Sequence, residues 1–158
     1  MQENLATYLN DHLAGSVAAL ALIGDMAEAI SDTPLKTFLY DLKYEIEEEQ
    51  HVLRIIMQAN GIGEGSLKKA TAWLGEKITS PKFGGTADDS HGLAVMQGLE
   101  MLCLGITGKL LGWRAFQASI APMVEALGFD LNALEEQAER QRSTADDFRL
   151  VYARKAFA

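Results

Sequence analysis

A chain of 158 residues, 48% apolar and 23% charged, is long enough to bury one continuous core and reads as a single domain over 1–158. Its formal net charge of −8 excludes nucleic acid and anionic lipid as expected partners, since neither offers positive charge to an acidic surface. A single cysteine, Cys103, excludes an intrachain disulfide and a cysteine-based zinc site, and fits a reducing cytoplasm.

The opening Met1-Gln2-Glu3-Asn4 is polar and acidic, unlike the basic-then-apolar start of a secretory signal. A first helix is predicted from about Leu5 to Ile30. There Leu5, Leu9, Leu13, Ser16, Leu20, Ile23, Ala27 and Ile30 recur at alternating spacings of three and four. Ser31-Asp32-Thr33-Pro34 ends it, with Thr33 as the expected cap and Pro34 at the first position of the next helix. So short a connection makes the first two helices an antiparallel hairpin.

The second helix is predicted from about Pro34 to Asn60, with Leu35, Leu39, Leu42, Ile46, Glu49, Leu53 and Ile56 on one stripe and Asn60-Gly61 as its stop. It carries the acidic run Glu45-Ile46-Glu47-Glu48-Glu49-Gln50-His51, which contains the string Glu48-x-x-His51. At about 100° per residue, Leu42, Ile46, Leu53 and Ile56 all fall within about 60° of Glu49. Glu48 lies about 100° and His51 about 160° away, so both are expected to face solvent. Glu45 and Glu49 are expected to face the core, where a carboxylate must be neutralised or paired. The expectation is an internal hydrogen-bond network with His12, Ser16, Gln141 or Lys109, with a remnant metal or small-ligand pocket as the alternative.

A connection from Gly61 to His91 follows, with a short helix expected over Ser66–Leu74 and a Gly/Pro/Asp-rich tail. It is long enough to return along a helix of about 40 Å, which would leave the third long helix parallel to the second. That helix, about Gly92 to Ala121, is apolar nearly all round. Val95, Leu99, Leu102, Ile106, Trp113, Phe116 and Ile120 lie on one side, Leu104 and Leu111 on the other. Gln97, Glu100, Lys109 and Arg114 interrupt it and argue against a membrane span. Gly98, Gly105 and Gly112 form one stripe with Gly108 beside it. Each glycine costs about 1 kcal/mol relative to alanine, so the stripe predicts close approach of another backbone and a homodimer through this helix. Pro122 and Gly128 break the chain. A fourth helix then runs from about Leu131 to Ala158, with Asn132-Ala133-Leu134-Glu135 in capping-box form and Ala138 and Gln141 facing inward.

Four long helices with short, long and short connections predict an all-α fold. Its expected form is an antiparallel four-helix bundle with one long crossover carrying a short extra helix. In these lengths, and in the run Glu45 to His51, the chain resembles the ferritin-like superfamily, and most of all its small bacterial stress-associated proteins. The resemblance implies a di-iron site built from a Glu on helix one, a Glu-x-x-His on helix two, a Glu on helix three and a second Glu-x-x-His on helix four. Here Ser16 stands in the first slot, Glu49-x-x-Val52 in the second, Glu100 in the third, and Ala138 and Gln141 in the fourth. The expectation is therefore a degenerate site: a non-enzymatic structural or stress-associated protein with no catalytic residue and no cofactor. The alternative is a metal-dependent (iron or manganese) ferritin-like oxidase or peroxide scavenger, whose candidate ligands are Glu45, Glu49, Glu100, His12 and His51. A third reading, a binder of a small apolar molecule between the helices, rests on Trp73, Trp113 and Phe116. Cys103 and the methionines read as core filling.

Overall fold

A computed structural model describes residues 2–65 and 89–158, which are all-helical without any strand. Four long helices, α1 (Gln2–Ala29), α2 (Thr33–Ala59), α3 (Asp89–Ser119) and α5 (Leu131–Phe157), are joined by a single-turn α4 (Ala121–Ala126) between α3 and α5. The short helix expected over 66–74, and Trp73 with it, lies outside the described residues.

Local chemistry sets the helix ends. The cap of α2 is Asp32 rather than Thr33: its extended backbone lets Oδ1 accept from Leu35 N at 3.3 Å, which leaves Thr33 and Pro34 as the first two helical residues. The cap of α5 is Asp130, whose Oδ1 accepts from Asn132 N at 2.9 Å and Ala133 N at 3.2 Å, so Asn132 already lies inside the helix and the expected capping box does not form. A carboxylate brings negative charge to the positive end of the helix dipole, which an asparagine amide does not. At the end of α2, Gly61 takes φ +64°, with Gly61 N donating to Gln58 O and Ile62 N to Met57 O. Gly128, at φ +90°, ends α4 in the same way. In both places two otherwise orphaned carbonyls are satisfied by a left-handed residue, which glycine alone adopts without strain.

Named contacts fix the helix directions. Gln2 donates to Asn60 O, so α1 runs against α2. Asp32 meets Tyr152 and Glu45 meets Gln141, so α2 runs against α5. Gly92 packs on the backbone of Ala156 and Arg114 pairs with Glu135, so α5 runs against α3. It follows that α2 and α3 point the same way. The core between them holds Leu9, Leu13, Ile23 and Met26 of α1, Leu35, Leu39, Leu42 and Ile56 of α2, and Leu99, Leu102 and Trp113 of α3, all essentially buried. From α5 come mainly Ala138, Gln141, Ala145 and Tyr152, and the two alanines let α3 and α5 lie close together.

The outer face of α3 is unusual. Leu93, Met101, Leu104 (67% exposed) and Leu111 (55% exposed) lie on it. Over His91–Ser119 this helix is long and apolar enough to cross a membrane by length and composition, and 44% of its most apolar window is buried within the molecule. Within that span Glu100, Lys109 and Arg114 are tied to other helices: Glu100 to Arg149, Lys109 to Glu49, and Arg114 to Glu135 and Glu139.

Candidate functional site

The acidic run on α2 divides as helical geometry dictates. Glu47, Glu48 and His51 are exposed on the outer side. Glu49 is buried at 3% exposure, and Glu45 is half-buried one turn earlier.

Lys109 of α3 reaches across to this pair. Its Nζ donates to Glu49 Oε2 at 2.6 Å and to Gln141 Oε1 of α5. Gln141 Nε2 in turn donates to Glu45 Oε2 at 2.7 Å and to Glu49 Oε1 at 3.3 Å. One ammonium and one amide therefore tie three helices together around two carboxylates. Burial pushes the Glu49 carboxyl up, against the pull of Lys109, and pushes the Lys109 ammonium down, against the pull of Glu49. For both groups desolvation outweighs the attraction between them, as is usual for an ion pair taken out of water.

Of the four expected network partners, Lys109 and Gln141 are present and Ser16 and His12 are elsewhere. Ser16 Oγ donates to Leu13 O at 2.6 Å and accepts from Gln50 Nε2 at 2.8 Å. Gln50 itself is 6% exposed and accepts from Arg54, which pairs with Glu64. The sequence reading passed over Gln50, although its place four residues after Ile46 and three before Leu53 puts it at the edge of the inward stripe. His12 packs its ring against Tyr8, with centroids 4.5 Å apart, and lies over Gly112. A Cβ on Gly112 would come within 2.7 Å of His12 Cε1, so this glycine makes room for the imidazole. Burial holds His12 below the usual histidine range, only partly opposed by Asp11, so the ring is neutral at pH 7.

The remaining metal candidates do not converge on this cluster. Glu100 stands on the α5 side of α3, 3.6 Å from Arg149 Nη1, and His51 is exposed. Among the described residues no three His, Cys, Asp or Glu side chains are grouped to hold a metal ion. A cation beside Glu49 would have to displace an ammonium that already supplies the positive charge. The donor set thus does not suit the di-metal centre that the ferritin-like resemblance implies. Cys103 is half-buried, and burial followed by the charge of Asp146 pushes its thiol up, so it is no thiolate nucleophile at neutral pH.

Beside the network a cavity of about 350 Å³ opens between α1 and α3. Glu49, Lys109 and Gln50 lie on its floor, His12, Tyr8, Trp113 and Phe116 at one end, and Gly15, Gly105 and Gly108 along its sides. A Cβ built on Gly15, Gly105 or Gly108 meets no atom within 4 Å. The close backbone approach expected at the glycine stripe is therefore not met at Gly105 and Gly108 among the described residues, whereas Gly112 is packed upon by His12. Trp113 Nε1 is buried without a hydrogen-bond partner among the described residues, which costs about 1–3 kcal/mol where none is present.

A comparison with protein-family models gives no match, and neither curated proteins nor solved structures give a significant one.

Proposed function

We propose that the chain is a non-enzymatic, ferritin-like four-helix protein in which a lysine has taken the place of metal, acting as a structural or stress-associated homodimer in a reducing cytoplasm. The observation that carries this reading is Lys109 Nζ at 2.6 Å from Glu49 Oε2, on the inward face of the helix that carries the Glu-x-x-His-like run. An ammonium neutralises one carboxylate without needing open coordination positions, imidazoles or further carboxylates, so it satisfies a buried Glu49 after those ligands are gone. The parallel directions of α2 and α3 support a single long crossover, as ferritin-like bundles have. The apolar outer face of α3 supports self-association, because exposed Leu104 and Leu111 on one helix face suit a partner better than water.

Elemental analysis of purified protein tests the substitution of lysine for metal. The expected result is well under one-tenth of an equivalent of iron, manganese or zinc, in wild type and after incubation with each ion. Stoichiometric iron or manganese would overturn it in favour of a metal-dependent oxidase.

A further inference from the structure

We infer that the cavity between α1 and α3 is a binding site for a neutral, flat molecule of one or two fused rings that carries a hydrogen-bond acceptor. This goes beyond the lysine-for-metal reading and does not rest on it.

Size comes first. A dry cavity of about 150 Å³ holds benzene, and at about 350 Å³ this one has room for a second ring. It lies in the range of small-molecule sites, which begin at about 300 Å³. Ile46, Leu53, Leu102 and Ile106 supply apolar walls, and the rings of Tyr8 and Phe116 stand edge to face, 5.9 Å apart, in the lining.

The glycines are the second observation. Gly15 on α1 and Gly105 and Gly108 on α3 lie inside long helices, where each costs about 1 kcal/mol relative to alanine. Among the described residues nothing comes within 4 Å of their missing side chains. All three border the same cavity, and a methyl group on each would narrow it from both sides. Their cost fits an occupant of the cavity other than the described residues.

Charge and hydrogen bonding define the occupant's chemistry. Glu49 and Lys109 neutralise each other, and a neutral His12 adds nothing, so the interior offers no net charge to an ion. Asp11 at the rim disfavours an anion. An ammonium has three donors; Lys109 uses two, on Glu49 and Gln141, and the third has no partner among the described residues. The His12 ring nitrogens likewise make no hydrogen bond among the described residues. A carbonyl or ether oxygen on the guest would satisfy one of these donors.

Calorimetric titration of the full chain with 2-acetylnaphthalene, a neutral two-ring ketone, tests the assignment. Saturable one-site binding is expected, weaker for naphthalene, which lacks the acceptor, and for 2-naphthoate, which carries a charge. Gly108→Leu should weaken it at least about tenfold, while circular dichroism shows helicity retained. Should that variant fail to fold, Gly15→Leu fills the same cavity from the opposite wall. No saturable binding up to the solubility limit, or equal affinity in wild type and a folded cavity-filling variant, would overturn the proposal. So would affinity that falls as sedimentation shows a dimer forming, since a second copy would then be the occupant.

Discussion

Removing the Lys109 ammonium would leave the Glu49 carboxylate buried with only the Gln141 amide as a donor. Breaking a buried pair from one side costs about 3–5 kcal/mol, because the remaining charge is left uncompensated. Lys109→Met should therefore lower stability by about that amount in chemical denaturation. Adding Glu49→Leu should recover much of the loss, because the second charge is then gone. If the double variant is no more stable than Lys109→Met, the two groups are not coupled as their 2.6 Å separation indicates. That Glu49 needed a partner was legible from its place on the apolar stripe. Lys109 was only one of four partners the sequence allowed, since helix periodicity places a residue on a face but not at a height or a distance.

At the scale of the helices, two kinds of glycine behave oppositely. Gly61 holds φ +64° and closes the end of α2, so Gly61→Ala should cost about 1 kcal/mol or more. Gly105 has helical backbone and open space where its Cβ would be, so Gly105→Ala should raise stability by up to about 1 kcal/mol. Thermal melts of the two variants should shift in opposite directions; a loss of stability in Gly105→Ala would show that a close contact exists there after all. The helix ends were legible to within a few residues because Pro34, Gly61, Pro122 and Gly128 are local signals. The choice of Asp32 over Thr33 was not, because which side chain caps depends on the backbone angle at one residue. The single turn α4 also escaped notice: Pro122 reads equally well as a break and as the start of a new helix.

For the molecule as a whole, the outer face of α3 sets the prediction. Sedimentation at micromolar concentration should show a dimer, and Leu104→Glu together with Leu111→Glu should return it to monomer with helicity intact. A monomeric wild type would remove the dimer and leave the exposed leucines without an explanation. The division of labour between sequence and tertiary structure follows from the range of the forces involved. Periodicity, glycines and prolines determined the long helices, and the 100° step determined that Glu45 and Glu49 turn inward while His51 turns out, because these depend on neighbours within a turn or two. Only the packing of distant helices decided that Lys109 and Gln141 meet Glu49, that His12 rests on Gly112 instead of joining them, and that Gly15, Gly105 and Gly108 border an open cavity. Those outcomes depend on distances between side chains 32 to 100 residues apart in the chain, and no periodicity along a single helix carries them.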